Sequence, residues 1–339
     1  MKNRFSLKEI AHQSGLSLAT VDRVLHQRAG VRAATQARVT AAIGELERQF
    51  ASSALTGHRI AIDVIIEAPK RFTAPVQAAF EAELPGMRPA SLTARFHLAE
   101  RMPGDALSKL LATIAKRGSH GVILKAQDRP ETHALLKTLN QKKIPVWTYV
   151  TDQPTALRQA YVGMDNLAVG RNAAWLLGQI IQPRRGTILV SLSAAEFSGE
   201  DLRADGFRET LAKRFPQLKT HVVTQGHGVH LATKATVAEA LKQDPDINAV
   251  YSSGGGNRAI LEAFADARRP CLAFGAHDLD AANRALLTAG KLSFVFHHDL
   301  RQDARTIAQL VLAHHRMLPR DFEVQPSQVS ISTPLDFAK

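Results

Sequence analysis

Strand-like apolar segments alternate with helical segments from residue 59 onward, and this alternation restricts the fold more than any other feature of the sequence. The segment Arg59–Glu67 (RIAIDVIIE) is dominated by Ile and Val, which is typical of a strand covered on both faces in a parallel sheet. Comparable strands are predicted at residues 94–98, 121–125, 144–149, 186–191, 221–223, 249–252, 271–275 and 292–296. We therefore predict an α/β core of two doubly wound lobes with parallel sheets.

The order of these segments also predicts the layout of the core, which we assign to residues 59–339. The first lobe is expected at residues 59–158 and 299–332, because the closing segments 303–312 and 328–331 are expected to return to it. The second lobe is expected at residues 163–292. Ligands of open α/β sheets bind outside the carboxyl ends of the strands, so the cleft between the lobes is the expected ligand site.

The preceding residues have a helical pattern around the segment Ser14-Gly15-Leu16-Ser17. Gly15 tolerates the left-handed backbone that ends a helix, and Ser17 can cap the next helix. These features predict a helix-turn-helix at residues 7–25, whose second helix would lie against DNA. A third helix at residues 32–50 would complete an α-helical headpiece of residues 1–49, followed by a small, polar linker or hinge at 50–58.

Composition fits a nucleic-acid partner but does not locate the site. The formal net charge is +12, and a cationic surface favours a polyanion such as DNA. The sequence contains no apolar run long enough to span a membrane, and its first residues lack the apolar segment of a secretory signal, so we expect a cytoplasmic location. The single cysteine, Cys271, excludes an intrachain disulfide and is expected to be a buried structural thiol.

The headpiece motifs resemble the DNA-binding headpiece of the LacI (lactose repressor) family. They are SLKEIA (6–11), GLS (15–17), TV (20–21), RVL (23–25) and GVR (30–32), with Thr35 and Val39. The resemblance implies that the second helix enters the major groove, with Arg23 at a base edge and Arg32 at a phosphate. The expected DNA-contacting residues are Ser17, Leu18, Ala19, Thr20, Asp22, Arg23, His26, Arg32 and Leu55.

Two features depart from that family's pattern. The family usually has Ser at the position of Asp22, where a carboxylate repels phosphate or accepts a hydrogen bond from a cytosine amino group. The hinge signature Tyr-x-Pro-Asn is absent, although Leu55, before Thr56 and Gly57, resembles the leucine that the family inserts into the minor groove.

The core resembles the type I periplasmic-binding-protein fold, which forms the effector domain of LacI-family regulators. The segment YVGMDN (161–166), through Gly170, resembles that fold's crossover into the second half. The resemblance covers residues 59 to about 334 and implies that a sugar, sugar acid, cyclitol or phosphorylated sugar binds between the lobes. The ligand-binding residues that it implies are Phe72, Asp128, Arg203, Asp278 and His298.

The sequence contains no recognisable catalytic constellation. His277, His297 and His298 have the residue types of a metal site, but adjacent histidines on a strand point to opposite faces. The glycine-rich segment at 254–257 lacks the Lys-Ser/Thr pair of a P-loop. We therefore predict a DNA-binding transcriptional regulator without enzymatic activity, cofactor or metal. It is expected to be a homodimeric repressor that binds a palindromic operator under the control of the ligand. The alternatives are a cytoplasmic sugar-binding protein and a sugar-modifying enzyme with a helical cap.

Overall fold

The computed structural model describes residues 5, 7–26, 28, 30–55, 59–181, 185–193, 198–224, 230–318 and 327–337, without the side chains of residues 8, 9, 12, 45–55 and 198. The chain divides into two compact units, one comprising residues up to 60 together with 86–92, and the other comprising 61–85 and the residues from 93 onward. None of the helices in the described ranges is both long enough and apolar enough to cross a lipid bilayer.

The headpiece consists of α1 (Leu7–Ser14), α2 (Leu18–Leu25) and α3 (Ala33–Leu55). The two short helices each contribute apolar side chains to one small core, which the third helix completes. The buried members of this core are Ile10, Ala11, Val21 and Val39. A core of this size is stabilised by helix packing more than by helix propensity.

The turn between α1 and α2 has the predicted geometry. Gly15 adopts a φ of +62°, which is accessible to glycine without steric penalty. The Ser17 hydroxyl oxygen accepts a hydrogen bond of 3.2 Å from the backbone N–H of Thr20 and so caps α2. The helix-turn-helix prediction is therefore confirmed, with α2 as its second helix.

The third helix is longer than predicted. It continues past residue 50 to Leu55, so the first part of the expected linker is helical. The side chain of Leu55 and residues 56–58 lie outside the described residues. Insertion of Leu55 into a minor groove consequently stays a prediction.

The first lobe is built on a five-stranded sheet. Its elements are β1 (Arg59–Glu67), α4 (Lys70–Glu83), β2 (Ser91–Ala99), α5 (Gly104–Arg117), β3 (Val122–Lys125), α6 (Pro130–Gln141), β4 (Val146–Tyr149) and β5 (Ala160–Val162). The strand order is β2-β1-β3-β4-β5. β3 pairs in parallel with β1 and β4, and β4 pairs in parallel with β5. The prediction for β1 matches the observed strand at both ends.

The second lobe is built on a six-stranded sheet in the order β11-β10-β9-β8-β6-β7. Its strands are β6 (Gly186–Ser191), β7 (Leu218–Val223), β8 (Ile247–Ser252), β9 (Ala273–His277), β10 (Phe294–His298) and β11 (Val329–Ser332). The helices that follow β5 are α7 (Asn166–Ile181), α8 (Ser198–Arg214), α9 (His230–Gln243), α10 (Asn257–Asp266), α11 (Ala281–Thr288) and α12 (Leu300–His314). All pairings among β6 to β10 are parallel. The prediction of two parallel-sheet lobes is confirmed.

The last strand corrects one expectation. Residues 328–331 do not return to the first lobe, because β11 pairs antiparallel with β10 and extends the second sheet. Three of the four residues of β11 are exposed, so no apolar face in the sequence indicates which sheet it joins. By contrast, α12 does return: Arg301 and Arg305 lie 2.6 and 2.9 Å from the carboxylate of Glu83 at the end of α4. The chain thus passes between the lobes after β5, after β10 and again before β11.

The contact between α7 and α8 depends on two glycines. A Cβ atom at Gly170 would lie 2.1 Å from the carbonyl oxygen of Arg203, and one at Gly206 would lie 2.3 Å from the carbonyl oxygen of Leu167. The two helix backbones therefore approach each other more closely than any larger residue would permit. This close approach fixes the position of Arg203, whose side chain is buried.

Candidate ligand cavity and DNA-binding surface

A cavity of about 520 Å³ lies between the two lobes. Its walls include Glu67 and Lys125, the last residues of β1 and β3, together with Ser253 and Asp278, which directly follow β8 and β9. The cavity therefore lies at the carboxyl ends of strands from both sheets, as predicted. A volume of this size is within the usual range for a small-molecule site.

Arg203 is the most deeply buried cation of the cavity, with 6% of its surface exposed. Its Nε donates a hydrogen bond of 2.7 Å to Asn166 Oδ1, and its Nη1 donates one of 3.1 Å to the carbonyl oxygen of Ser253. These bonds hold one edge of the guanidinium against the second lobe. Because a guanidinium carries five N–H donors, the group retains donors for a ligand in the cavity.

Lys125 approaches from the first lobe. Its ammonium donates a hydrogen bond of 3.2 Å to the carbonyl oxygen of Glu67 and lies 5.9 Å from the centre of the Phe72 ring. Burial lowers the pKa of Lys125 to about 8, although the carboxylates of Glu200, Glu67 and Asp278 act in the opposite direction. At neutral pH the lysine is therefore still mostly protonated, and additional hydrogen-bond acceptors in the cavity would stabilise its charged form.

Two carboxylates of the cavity wall are held in place by backbone N–H groups. Glu67 accepts a hydrogen bond of 3.1 Å from the N–H of Met102. Glu200 accepts bonds of 2.7 Å from the N–H and 2.5 Å from the hydroxyl of Ser193. Each carboxylate consequently presents acceptor oxygens in a fixed orientation, which is the arrangement that binding of hydroxyl groups requires.

Two residues of the cavity wall adopt backbone conformations that non-glycine residues rarely adopt. Val150 has a φ of +62°, in a γ-turn closed by a 2.7 Å bond from the N–H of Thr151 to the carbonyl oxygen of Tyr149. Asp278 has a φ of +64°. A positive φ is exceptional for a β-branched residue, and such strained positions cluster at ligand sites. One strained residue thus lies on each side of the cavity.

The structure brings together three of the five predicted ligand-binding residues. Phe72, Arg203 and Asp278 line the cavity. Asp128 does not: it is exposed and forms a 2.5 Å hydrogen bond with His133 in the following helix, while its neighbour Gln127 lines the cavity instead. The discrepancy is a shift of one residue at the end of β3, which turns the side chain to the other side of the chain.

His298 is also absent from the cavity wall. It is buried, and its Nδ1 forms a hydrogen bond with the carboxylate of Asp303 in α12. Asp303 also accepts bonds of 3.4 Å from the Tyr149 hydroxyl and 2.6 Å from the Ser327 hydroxyl. We call Tyr149, His298, Asp303 and Ser327 the Asp303 cluster. It connects the end of β4, the end of β10 and the segment just before β11, close to the points where the chain passes between the lobes.

Sequence inspection missed several cavity residues, including Glu67, Arg71 and Lys125. Glu67 and Lys125 carried a usable signal, since each is a charged residue at the last position of an otherwise apolar strand. Arg71 carried no such signal, because it follows the strand at a distance and belongs to α4.

Most of the predicted DNA-contacting residues lie on an accessible surface of the headpiece. Leu18 and the cap residue Ser17 are exposed at the start of α2, and Arg23 is exposed at its end. Thr20 is half-buried, and its hydroxyl lies 2.8 Å from that of Ser17. The remaining exposed members of the predicted set are Ala19, His26 and Arg32.

Asp22, the residue that departs from the LacI pattern, is neutralised within the headpiece. Its carboxylate lies 3.0 Å from Nδ1 of His26 and 3.3 Å from Nη1 of Arg28. The acidic group on α2 is therefore shielded by two basic groups that could otherwise face phosphate. Asp22 consequently holds the Arg28 guanidinium and the His26 imidazole in place as well as contributing its own charge.

No cluster of three or more His, Cys, Asp or Glu that could bind a metal ion occurs in the part of the chain that the structure describes. Cys271 is half-buried, and burial raises the pKa of its thiol to about 12. A thiol with such a pKa is almost fully protonated at neutral pH and is a poor nucleophile.

Several solved structures share the fold of this chain. The chain superimposes on GanP, a glucose-galactose binding protein from Geobacillus stearothermophilus, with a TM-score of 0.73 and 17% identity over 83% of this chain and 99% of that one. AraP, an arabinose binding protein from the same organism, gives a TM-score of 0.65 and 17% identity over 82% of this chain and 97% of that one. A periplasmic solute binding protein from Actinobacillus succinogenes with bound D-allose gives 0.69 and 13% over 81% and 98%. At these identities the similarity establishes the fold.

Sequence-based comparisons identify the family. No curated protein matches the chain. The model of the periplasmic binding protein domain matches residues 106–316, which is more than half of the chain. The model of the bacterial regulatory proteins of the lacI family matches residues 6–47, which contain the helix-turn-helix. The chain therefore belongs to the periplasmic binding protein domain family and carries a helix-turn-helix domain of the lacI family of bacterial regulatory proteins.

Proposed function

We propose that this protein is a transcriptional regulator whose affinity for DNA is controlled by a sugar bound between the two lobes. The observation that carries the proposal is the presence, on one chain, of a capped helix-turn-helix and a cavity of about 520 Å³ at the strand ends of two lobes. A transport component or an enzyme does not require a DNA-binding helix-turn-helix. A regulator needs both.

The proposed ligand class follows from the chemistry of the cavity wall. Glu67, Glu200 and Asp278 accept hydrogen bonds, whereas Arg203 and Lys125 donate them. Sugar hydroxyl groups both donate and accept, so they suit a wall that mixes the two kinds of group. Beside these, the ring of Phe72 offers a flat apolar face of the kind that packs on a sugar ring. The names of the structural neighbours, which bind glucose, galactose, arabinose or allose, support this class.

The proposed DNA target is a palindromic operator bound by a homodimer. A single α2 contacts only a few base pairs, so useful affinity requires two half-sites joined by protein symmetry. Arg23 would contact a base edge, with Leu18, Ala19 and Asp22 setting the neighbouring preference. Ser17, Thr20, His26 and Arg32 would contact the DNA backbone, and Leu55 would contact the minor groove.

Ligand and operator would be coupled through the arrangement of the lobes. A ligand that binds one arrangement more tightly shifts the protein toward it, and a coupling free energy of about 1–3 kcal/mol is typical of such systems. We assign the protein to the cytoplasm, where DNA is accessible, and propose that it represses transcription without catalysing a reaction.

Selection of bound duplexes from a random DNA pool by the full-length protein tests this proposal. An enriched inverted repeat that a sugar releases or tightens is the expected result. Diffuse, salt-labile binding without an enriched sequence, at any sugar concentration, would contradict the proposal. Calorimetric titration with the same sugars reports independently on the cavity.

A further inference from the structure

A second recess of about 240 Å³ adjoins the main cavity in the second lobe. It lies between the segment that joins β8 to α10 and the segment that joins β9 to α11. Arg71 and Asp278 line both spaces. A Cβ atom at Gly255 would lie 2.5 Å from Nη2 of Arg71, so the glycine leaves room for the guanidinium at the boundary between the two spaces.

The recess contains a buried hydrogen-bond acceptor without a partner. Asn283 Nδ2 donates to the carbonyl oxygens of His277 and Asp278, at 2.8 and 2.7 Å. Asn283 Oδ1 is therefore an acceptor, and it receives a bond of 2.8 Å from Nδ2 of Asn257. This network fixes the orientation of the Asn257 amide. Its Oδ1 is buried and has no partner among the described residues.

The recess also contains a buried donor without a partner. The Tyr251 hydroxyl lies 2.8 Å from Nε2 of His277. Burial raises the pKa of Tyr251, so the phenol keeps its proton. Burial, together with Arg203 and His298, lowers the pKa of His277 well below its ordinary value, so the imidazole is neutral. Because the described residues offer the phenol proton no other acceptor, the phenol donates to Nε2, which leaves the imidazole proton on Nδ1. Within the described part of the chain nothing accepts a bond from Nδ1.

These two atoms belong to deeply buried side chains that line the same recess. His277 is 3% exposed and Asn257 is 4% exposed. A buried polar atom without a partner is destabilising, because it has lost its bonds to water. A hydroxyl group can accept a hydrogen bond from Nδ1 and donate one to Oδ1, so a hydroxylated ligand suits both kinds of atom. A carboxylate or phosphate would satisfy the donor only.

We propose that this recess binds a hydroxyl group at the far end of the sugar that occupies the main cavity, and that the ligand is therefore longer than one sugar ring. This inference rests on the proposed function of the main cavity. The first ring lies between the lobes, and a second, hydroxylated unit passes Arg71 and Asp278 to reach His277 and Asn257.

Isothermal titration calorimetry of the full-length protein tests the inference. The single-ring probes are D-glucose and D-galactose, and the two-ring probes are maltose, cellobiose, lactose and melibiose. At least one two-ring sugar is expected to bind about tenfold or more tightly than its constituent ring. If a single ring binds at least as tightly as every two-ring probe, the inference is wrong and water fills the recess. If none of the six sugars binds, the inference is also wrong, whereas the proposed function is decided separately by the selection of bound DNA with a wider set of sugars.

Two variants separate the recess from the stability of the fold. His277→Phe and Tyr251→Phe break the same buried hydrogen bond, but only His277→Phe removes the recess donor. We expect His277→Phe to lose the preference for the longer sugar and Tyr251→Phe to keep it. Equal loss in both variants, or no loss in either, would refute the assignment. Asn257→Leu removes the acceptor and is expected to reproduce the effect of His277→Phe, which gives a second test if one variant fails to fold.

Discussion

Nε of Arg71 lies 3.8 Å from Oδ2 of Asp280, so that the first turn of α4 in the first lobe is joined to the cap of α11 in the second. The pair borders the recess and is partly exposed, with 39% of the arginine side chain and 12% of the aspartate side chain accessible. It is a direct ionic contact between the lobes.

Loss of this contact is expected to weaken sugar binding modestly. Arg71→Ala removes the ionic contact between the lobes and part of the cavity wall. A partly exposed ion pair contributes at most about 1 kcal/mol, so we expect Kd to increase by about fivefold. Calorimetric titration of a bound sugar measures the change. Lys70→Ala removes a neighbouring exposed charge and should leave Kd within error. If the two variants behave alike, Arg71 has no specific role.

Arg23 and Arg32 are expected to differ in their effect on DNA binding. Arg23→Ala should remove about 1–3 kcal/mol of discrimination between the operator and random DNA, because Arg23 is placed at a base edge. Arg32→Ala should weaken binding to the operator and to random DNA to the same extent, and it should reduce the salt dependence of binding by about one phosphate contact. Fluorescence anisotropy at several salt concentrations distinguishes the two. Full discrimination by Arg23→Ala would mean that α2 is wrongly placed.

Removal of the Asp22 carboxylate is expected to strengthen binding to random DNA. In Asp22→Ala, His26 and Arg28 lose their acidic partner and become available to phosphate. The affinity for random DNA at low salt should therefore increase, and it should decrease more steeply as salt is added. Asp105→Ala in α5 removes an equivalent charge with its own Lys109 partner and is the matched control. An unchanged salt dependence in Asp22→Ala would contradict this role.

Asp63 predicts a loss of stability in acid. Burial raises the pKa of this carboxyl, but hydrogen bonds from Arg95, His97, Ser119 and Arg117 outweigh burial and lower the pKa from 3.8 to about 2. Because the folded-state pKa lies below the unfolded value, the stabilisation is present above pH 4 and is lost as the pH falls from about 4 to 2. The contribution is about 2 kcal/mol. Denaturant titrations across this range should show a loss that is about 2 kcal/mol larger in the wild type than in Asp63→Asn.

The packing of α7 against α8 predicts that Gly170→Ala destabilises the core by about 1–3 kcal/mol, because the added methyl group would overlap the carbonyl oxygen of Arg203. Displacement of Arg203 should also weaken sugar binding. A Cβ atom at Gly104, at the start of α5, would have no heavy atom of the described residues within 4 Å, so Gly104→Ala is the control. Thermal unfolding and titration of both variants measure the two effects, and equal behaviour of the variants would contradict the argument.

The fold was largely predictable because apolar periodicity reports burial directly. β1 is a run of Ile and Val whose two ends coincide with the prediction. The spacing of Val76, Ala79 and Phe80 predicts a helix only from about residue 75. The helix in fact begins at Lys70 and accommodates Pro75 internally, where the carbonyl oxygen of Arg71 forgoes its usual helical N–H partner.

The site was less predictable, because side-chain direction depends on register. Arg203 is held by Asn166 and Ser253, so its place in the cavity survives small errors in the helix boundary. Asp128 lies one residue beyond the position that faces the cavity, and the sequence does not fix where the strand ends to that accuracy. The role of His298 depends on Asp303, a helical residue whose proximity only the tertiary structure reveals.

The Asp303 cluster also limits how the lobes can move. Its hydrogen bonds reach Tyr149, His298 and Ser327, close to each of the passages between the lobes. Any change in the angle between the lobes must therefore turn about Asp303 as a pivot or break these bonds, two of which are buried, and this favours rotation over sliding. The wall displacement for a given rotation then grows with distance from the pivot. A ligand substituent far from Asp303 therefore contacts a part of the wall that moves farther for the same rotation. Two sugars of equal affinity can consequently differ in how far they rotate the lobes.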